Sequence, residues 1–242
     1  MDINSTFNVQ MIERSSSMAN LTRDFFIGLS NNEFLNKNAK KWGFRLGAEQ
    51  FVAGTNIDQV LKTVNRLNAK GISCTVDNLG EFVTEKEESL AAKETILEVI
   101  RRIHEEELNC HISVKLTQLG LDLDDQFCLD NMKEIVGAAK SHGIFVNIDT
   151  EDYAHYEQTL WVLNELLKEY DNVGTVIQSY LYRAEEDMDK LKNVRLRIVK
   201  GAYKESADVA FQTKEEIDQN FIKLIKKRLK GNTFTSIATH DH

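Results

Sequence analysis

Along most of the chain, short runs of branched and aromatic apolar residues alternate with longer stretches in which apolar residues return every three or four positions. The short runs have the length and composition of strands, and the longer stretches carry the stripe of an amphipathic helix. Strands are expected at 51–54, 72–76, 111–116, 144–149, 174–178, 195–199 and 234–238. Between them, Val60, Leu61, Val64 and Leu67 mark a first helix that Gly71 stops. Leu90, Ile96, Leu97, Ile100 and Ile103 mark a long second helix, and further helices are expected over 125–140, over 156–170 and briefly after Arg183. A last one carries Ile217, Phe221, Leu224 and Ile225 on one face. Thr84 with Glu87, and Thr213 with Glu216, have the spacing of capping boxes.

Two other stretches precede this alternation. Residues 1–19 are polar and rich in Ser and Asn, and read as a flexible leader. Residues 20–50 contain Phe25, Phe26, Leu29, Phe34, Leu35 and Trp42, which suit N-terminal helices covering the end of a larger body. The expected plan is therefore a leader over 1–19, helices over 20–50 and one α/β domain over 51–242.

Strands that alternate with helices through short loops imply a parallel sheet with right-handed crossovers. A doubly wound sheet and a (βα)8 barrel of the TIM type both meet that description. The barrel is favoured, because polar residues recur at the C-terminal end of strand after strand, as they do when all loops share one mouth. Seven strands leave the count one strand and one helix short of eight, so the expectation is a barrel truncated before its last strand and helix.

Composition narrows the class further. The 242 residues can bury one large core, and a net charge of −8 argues against a general binder of nucleic acid or anionic membranes. No apolar run has the length of a membrane span, so a cytoplasmic setting is the default expectation. Cys74, Cys110 and Cys128 lack metal-like or paired spacing and read as core thiols of a reducing compartment. The chain has no proline, where average usage would bring roughly a dozen.

The strand ends supply the candidate chemistry: Asp77, Lys115, Asp149 with Glu151, Gln178, Arg197 with Lys200 and Tyr203, and Thr239 with His240. Charges on otherwise apolar strands are costly to bury unless paired, so a convergent set of two Lys, one Arg and two carboxylates points to a site. Cations beside a redox-active ring stabilise the negative charge it gains on accepting a hydride, and a cation also holds a carboxylate. No GxGxxG follows a strand, which leaves no Rossmann-type dinucleotide signature. His240 and His242 alternate, yet no further ligand set completes them, and no metal is expected. His104, His142 and His155 read as surface or packing residues.

Five stretches carry a family pattern: SVKL at 113–116, VNIDTE at 146–151, VIQSY at 176–180, RIVKGAY at 197–203 and ATHD at 238–241. In these the chain resembles the proline dehydrogenase family. The resemblance implies a distorted (βα)8 barrel that holds FAD at its C-terminal mouth and oxidises L-proline to 1-pyrroline-5-carboxylate, with electrons passing to a quinone and transient peripheral membrane contact. Carried over position by position, Lys115 contacts the substrate carboxylate and pairs with Asp149, which closes the substrate side. Arg197 stands near the flavin N5, and Tyr203 borders the proline ring. Thr150 lies under the flavin, Gln178 hydrogen-bonds it, and Lys200, Gly201 and Ala202 line it. Thr239 and His240 reach toward its adenine or pyrophosphate portion. Two other readings of the residues stand beside this one: a Schiff-base aldolase or lyase using Lys200 or Lys115, and a truncated barrel without activity.

Overall fold

The computed structural model describes residues 6–9 and 53–241. Its elements, in order, are β1 (Thr6–Val9), α1 (Ile57–Asn68), β2 (Cys74–Leu79), α2 (Lys86–Glu105), β3 (Cys110–Val114), α3 (Asp125–Ser141), β4 (Val146–Ile148), α4 (Tyr156–Leu166), β5 (Val173–Gln178), α5 (Ala184–Lys190), β6 (Leu196–Val199), α6 (Lys214–Arg228) and β7 (Thr235–Ile237). The strands form one sheet in the order β1 to β7. From β2 to β7 each strand runs parallel to the next, and β1 lies antiparallel to β2, with Asn8 opposite Asp77.

That order separates a doubly wound sheet from a barrel. A doubly wound sheet reverses its strand order at a switch point, whereas a barrel adds each strand beside the last in the same direction. Here the order never reverses among the described residues, and the six parallel strands curl into a half-barrel with the helices packed outside.

Period-two alternation divides the labour between the faces. Val76, Ile112, Val114, Val146, Ile148, Leu196 and Ile198 are fully buried in the core, as are Val60, Leu61 and Val64 of α1, Ile100 and Ile103 of α2, Met132 and Ile135 of α3, and Leu163 of α4. The alternate positions turn inward: Thr75, His111, Asn147, Arg197 and Ser236 line one hollow inside the curled sheet. The inner wall thus carries polar side chains on β2, β3, β4, β6 and β7, with Phe145 and Phe234 beside them and Val176 of β5 level with Arg197. This is why charged residues at the strand ends meet one another rather than solvent.

Helix ends follow local chemistry. Asn56 caps α1 by accepting from Gln59 N, Asp124 caps α3 through Phe127 N, and Thr213 with Glu216 forms the expected capping box on α6. The box expected at Thr84 and Glu87 does not form, because α2 begins one residue later, with Glu85 as an N-cap that makes no side-chain bond. The cause lies just upstream: Phe82 N bonds Thr117 Oγ1 and Val83 N bonds Thr117 O, which ties the entry to the loop after β3. Phe82 takes a left-handed φ of 54° to make that turn.

Other boundaries move by small amounts. The third strand stops at Val114, two residues short of the expected end at Leu116, and Thr117–Leu119 forms a single 3-10 turn. The helix expected over 156–170 ends at Leu166. Within the expected leader, Thr6–Val9 forms β1. The N-terminal helices expected over 20–50, and Phe51 and Val52 of the first expected strand, lie outside the described residues.

Candidate active site

Four charged side chains from four strands alternate in sign across the mouth of the half-barrel. Asp77 comes from β2, Lys115 follows β3, Asp149 follows β4 and Arg197 lies in β6. Lys115 Nζ stands 2.7 Å from Asp77 Oδ2 and 3.1 Å from Asp149 Oδ2, and Arg197 Nη2 stands 2.5 Å from Asp149 Oδ1. Their side chains are only 14–15% exposed. Each is therefore held by its neighbours in a region where an isolated charge would be expensive.

Asp149 is the hub. Its Oδ1 also accepts from Ser113 Oγ at 2.5 Å and from Asn147 Nδ2 at 2.9 Å. Burial alone raises a carboxyl pKa, but here the Arg197 and Lys115 charges and the Ser113 bond outweigh it and hold Asp149 below the usual range. Asp77 goes the other way. Burial, with the charge of Asp149 added, pushes it up to about 6 against the pull of Lys115. For Lys115, burial opposes the charge, yet the two carboxylates prevail and keep it protonated well above the ordinary lysine value.

A second cluster sits at the ends of β6 and β7. Lys200 pairs with Asp218 of α6 and with Asp241, and Lys214 reaches Asp218 at 2.5 Å and Asp241 at 2.8 Å. Thr239 Oγ1 accepts from Asp241 N at 3.1 Å, and both Thr239 and His240 are exposed. Between the clusters the chain turns at Gly201 with φ of 119°, where a Cβ would come within 2.5 Å of the Tyr180 ring. Ala202 follows, exposed, and Tyr203 Oη donates to Glu81 Oε1 at 3.2 Å across the rim.

Gln178, at the end of β5, uses Nε2 to bind the carbonyls of Thr150 and Glu151 at 2.7 and 2.9 Å, which fixes the turn after β4. Its Oε1 is the group it can offer a ligand. Glu151, also at a strand end, is a strut: it accepts from Thr117 N and from Thr117 Oγ1. Burial raises its pKa.

The tetrad contains the expected Lys115–Asp149 pair and adds Arg197 to it, while Lys200, expected in the same convergent set, belongs with Thr239 and His240 to the second cluster. Asp77 stood among the strand-end residues without a role, and its direct bond to Lys115 makes it part of the centre. Ser113 and Asn147 were missed, although each lies two residues before a charged candidate and so on the same strand face. His155 has a more specific place than the surface or packing role expected of it. It bridges Asp152 Oδ1 at 2.5 Å and Asp122 Oδ1 at 2.6 Å, joining the loops after β3 and β4. Burial disfavours its charge, but the two carboxylates raise its pKa above the ordinary value. His104 and His142 stack on one another with centroids 4.1 Å apart. Among the described residues no cluster of His, Cys, Asp and Glu is suited to a metal ion.

Fold and site together define an α/β half-barrel with a buried, charge-balanced centre of cations and carboxylates at its strand ends. The proline dehydrogenase family model matches residues 60–242. The chain is 44% identical to proline dehydrogenase 2 of Bacillus subtilis subsp. natto over 91% of its own length and 73% of that protein. It is 46% identical to proline dehydrogenase 1 of Bacillus subtilis strain 168, again over 91% of this chain and 74% of that one. A crystal structure of proline utilization A from Bdellovibrio bacteriovorus, inactivated by N-propargylglycine, superposes with a TM-score of 0.71 at 23% identity. That match covers 84% of this chain and 26% of the other, and it shows the shared fold. The chain belongs to the proline dehydrogenase family.

Proposed function

We propose that this chain oxidises L-proline to 1-pyrroline-5-carboxylate with FAD as the resident cofactor and a quinone as the final electron acceptor. The observation that carries the reading is the alternating tetrad of Asp77, Lys115, Asp149 and Arg197, set in the mouth of a barrel of this family.

The residues fit a flat, electron-accepting ring. Thr150 Oγ1 and Ser179 Oγ are buried at adjoining strand ends and have no hydrogen-bond partner among the described residues. Gly201 leaves bare backbone where any side chain would strike Tyr180. Thr150, Ser179, Gly201, Ala202 and Gln178 Oε1 would hold the ring, and Lys200, Thr239 and His240 would meet the phosphates and the adenosine. Bound there, FAD supplies a two-electron acceptor for the hydride on the proline carbon next to nitrogen.

The protein's part is binding and electrostatics. Lys115 offers the substrate carboxylate a fixed positive charge, and its two carboxylate partners keep that charge present at neutral pH. Asp149, ionised and four times bonded, holds both Lys115 and Arg197 in place. The Arg197 guanidinium would favour negative charge on an electron-accepting ring held beside it. Tyr203, whose phenol burial keeps protonated, borders the substrate ring from the rim.

The same geometry disfavours the Schiff-base lyase. An imine-forming lysine must be neutral, and Lys115 is held in the opposite state, while Lys200 lies between Asp218 and Asp241. No helix among the described residues is long and apolar enough to cross a membrane. Lys115→Ala tests the reading: KM for proline rises by on the order of 10²-fold, with a smaller change in kcat. An unchanged KM contradicts it.

A further inference from the structure

Two carboxylates share the ammonium of Lys115, and they are held unequally. Asp149 takes bonds from Ser113, Asn147, Lys115 and Arg197. Asp77 takes one bond, from Lys115 to Oδ2 at 2.7 Å, while its Oδ1 is buried without a partner among the described residues. The four formal charges of the tetrad sum to zero. An incoming carboxylate at Lys115 leaves the group one negative charge in excess, in a place that water reaches poorly. A proton taken up by one of the carboxylates restores the balance, and Asp149 is too well bonded to accept it.

We propose that Asp77 is a positioning residue that couples substrate binding to proton uptake: as a carboxylate docks on Lys115, Asp77 is protonated and releases the ammonium to it. This rests on the reading of Lys115 as the carboxylate partner. The proton comes from solvent and sits on Asp77, whose unpartnered Oδ1 becomes a donor toward the newly bound anion. No electron moves in the step.

The surroundings agree on which group responds. Asp77 faces Ser113 of β3, Lys115 just after β3, Asp149 just after β4 and Arg197 of β6, and lies opposite Asn8 in the register of β1. On the rim Glu81 accepts from Tyr203, and Glu151 is occupied by Thr117. His155 is paired with Asp122 and Asp152, away from this exchange. Burial has already raised the Asp77 pKa to about 6, so a single added negative charge moves it into the neutral range.

The test uses the full chain with FAD added and tetrahydrofuran-2-carboxylate, a proline isostere whose ring oxygen cannot form the imine. Calorimetric titration in buffers of different ionisation heat counts the protons taken up on binding. The wild-type chain is expected to take up a fraction of a proton at neutral pH, and its Kd to tighten by up to about tenfold per pH unit, as the pH falls, between the bound and free Asp77 pKa values. Asp77→Asn is expected to bind without uptake and with a Kd flat over the same range. Binding that depends on Lys115 yet takes up no proton overturns the coupling alone, as does uptake that persists in Asp77→Asn. An isostere that fails to bind, or that binds Lys115→Ala as tightly as wild type, overturns the carboxylate reading and the coupling with it. Because the proton count is made first on the wild-type chain, the result does not depend on the variant folding.

Discussion

Arg197 Nη2 lies 2.5 Å from Asp149 Oδ1, a contact between residues 48 positions apart that ties β6 to the turn after β4. Asp149 is thereby both a structural tie and the counter-charge of the two cations. Replacing it by Asn removes the negative charge but leaves Lys115 and Arg197 buried side by side. Asp149→Asn is expected to lower stability by about 3–5 kcal/mol, the usual cost of breaking a buried pair from one side. Turnover should fall by roughly 10²-fold or more, as the guanidinium loses its fixed position. Denaturant unfolding and steady-state kinetics on the same preparation check both numbers.

Gly201 predicts a local and more selective defect. Its φ of 119° is strained for any side chain, and a methyl group would sit 2.5 Å from Tyr180. Gly201→Ala should cost about 1–3 kcal/mol of stability. FAD affinity, read by fluorescence titration, should weaken as the backbone is pushed from its turn; an unchanged affinity would remove Gly201 from the cofactor cradle.

The His155 bridge makes stability depend on pH with a definite sign. Its folded pKa lies above the unfolded value, because Asp122 and Asp152 favour the charged ring. The stabilisation is therefore fully present below about pH 6.5 and is lost as the pH rises through the higher folded value. The melting temperature should decline over that window in the wild-type chain and decline less in His155→Gln. Equal slopes in the two proteins would show that the bridge carries no linkage.

Thr213 probes how much a local sequence signal contributes on its own. The capping box it forms with Glu216 satisfies backbone N–H groups at the start of α6. Thr213→Ala should lose about 1 kcal/mol, measured by equilibrium unfolding, with little change in proline KM.

What could be read from the residues follows physical lines. The alternation of apolar periods placed β2 to β7 and the helices between them, since each pattern records which face meets the core. The barrel followed from where the polar residues fell, and the unbroken strand order explains why they meet. Lys115, Asp149 and Arg197 stood out because charges on apolar strands demand partners. Ser113, Asn147 and the role of Asp77 were harder to see, because small polar residues on a strand look like ordinary surface until the curl of the sheet turns their face inward. His155 was read as a surface or packing residue for a similar reason: Asp122 lies 33 positions away, and only the loop geometry brings it to the ring. The false capping box at Thr84 shows the reverse case, in which a correct local signal yields to the hydrogen bonds of Phe82 and Val83 with Thr117.

The most direct single measurement is a visible absorption spectrum of the chain with FAD, taken before and after anaerobic addition of L-proline. Proline oxidation at the Lys115 site predicts flavin bands that report bound FAD and bleach on proline in the wild-type chain, and that bleach far more slowly in Lys115→Ala. Flavin that binds but stays oxidised in the presence of proline would contradict it.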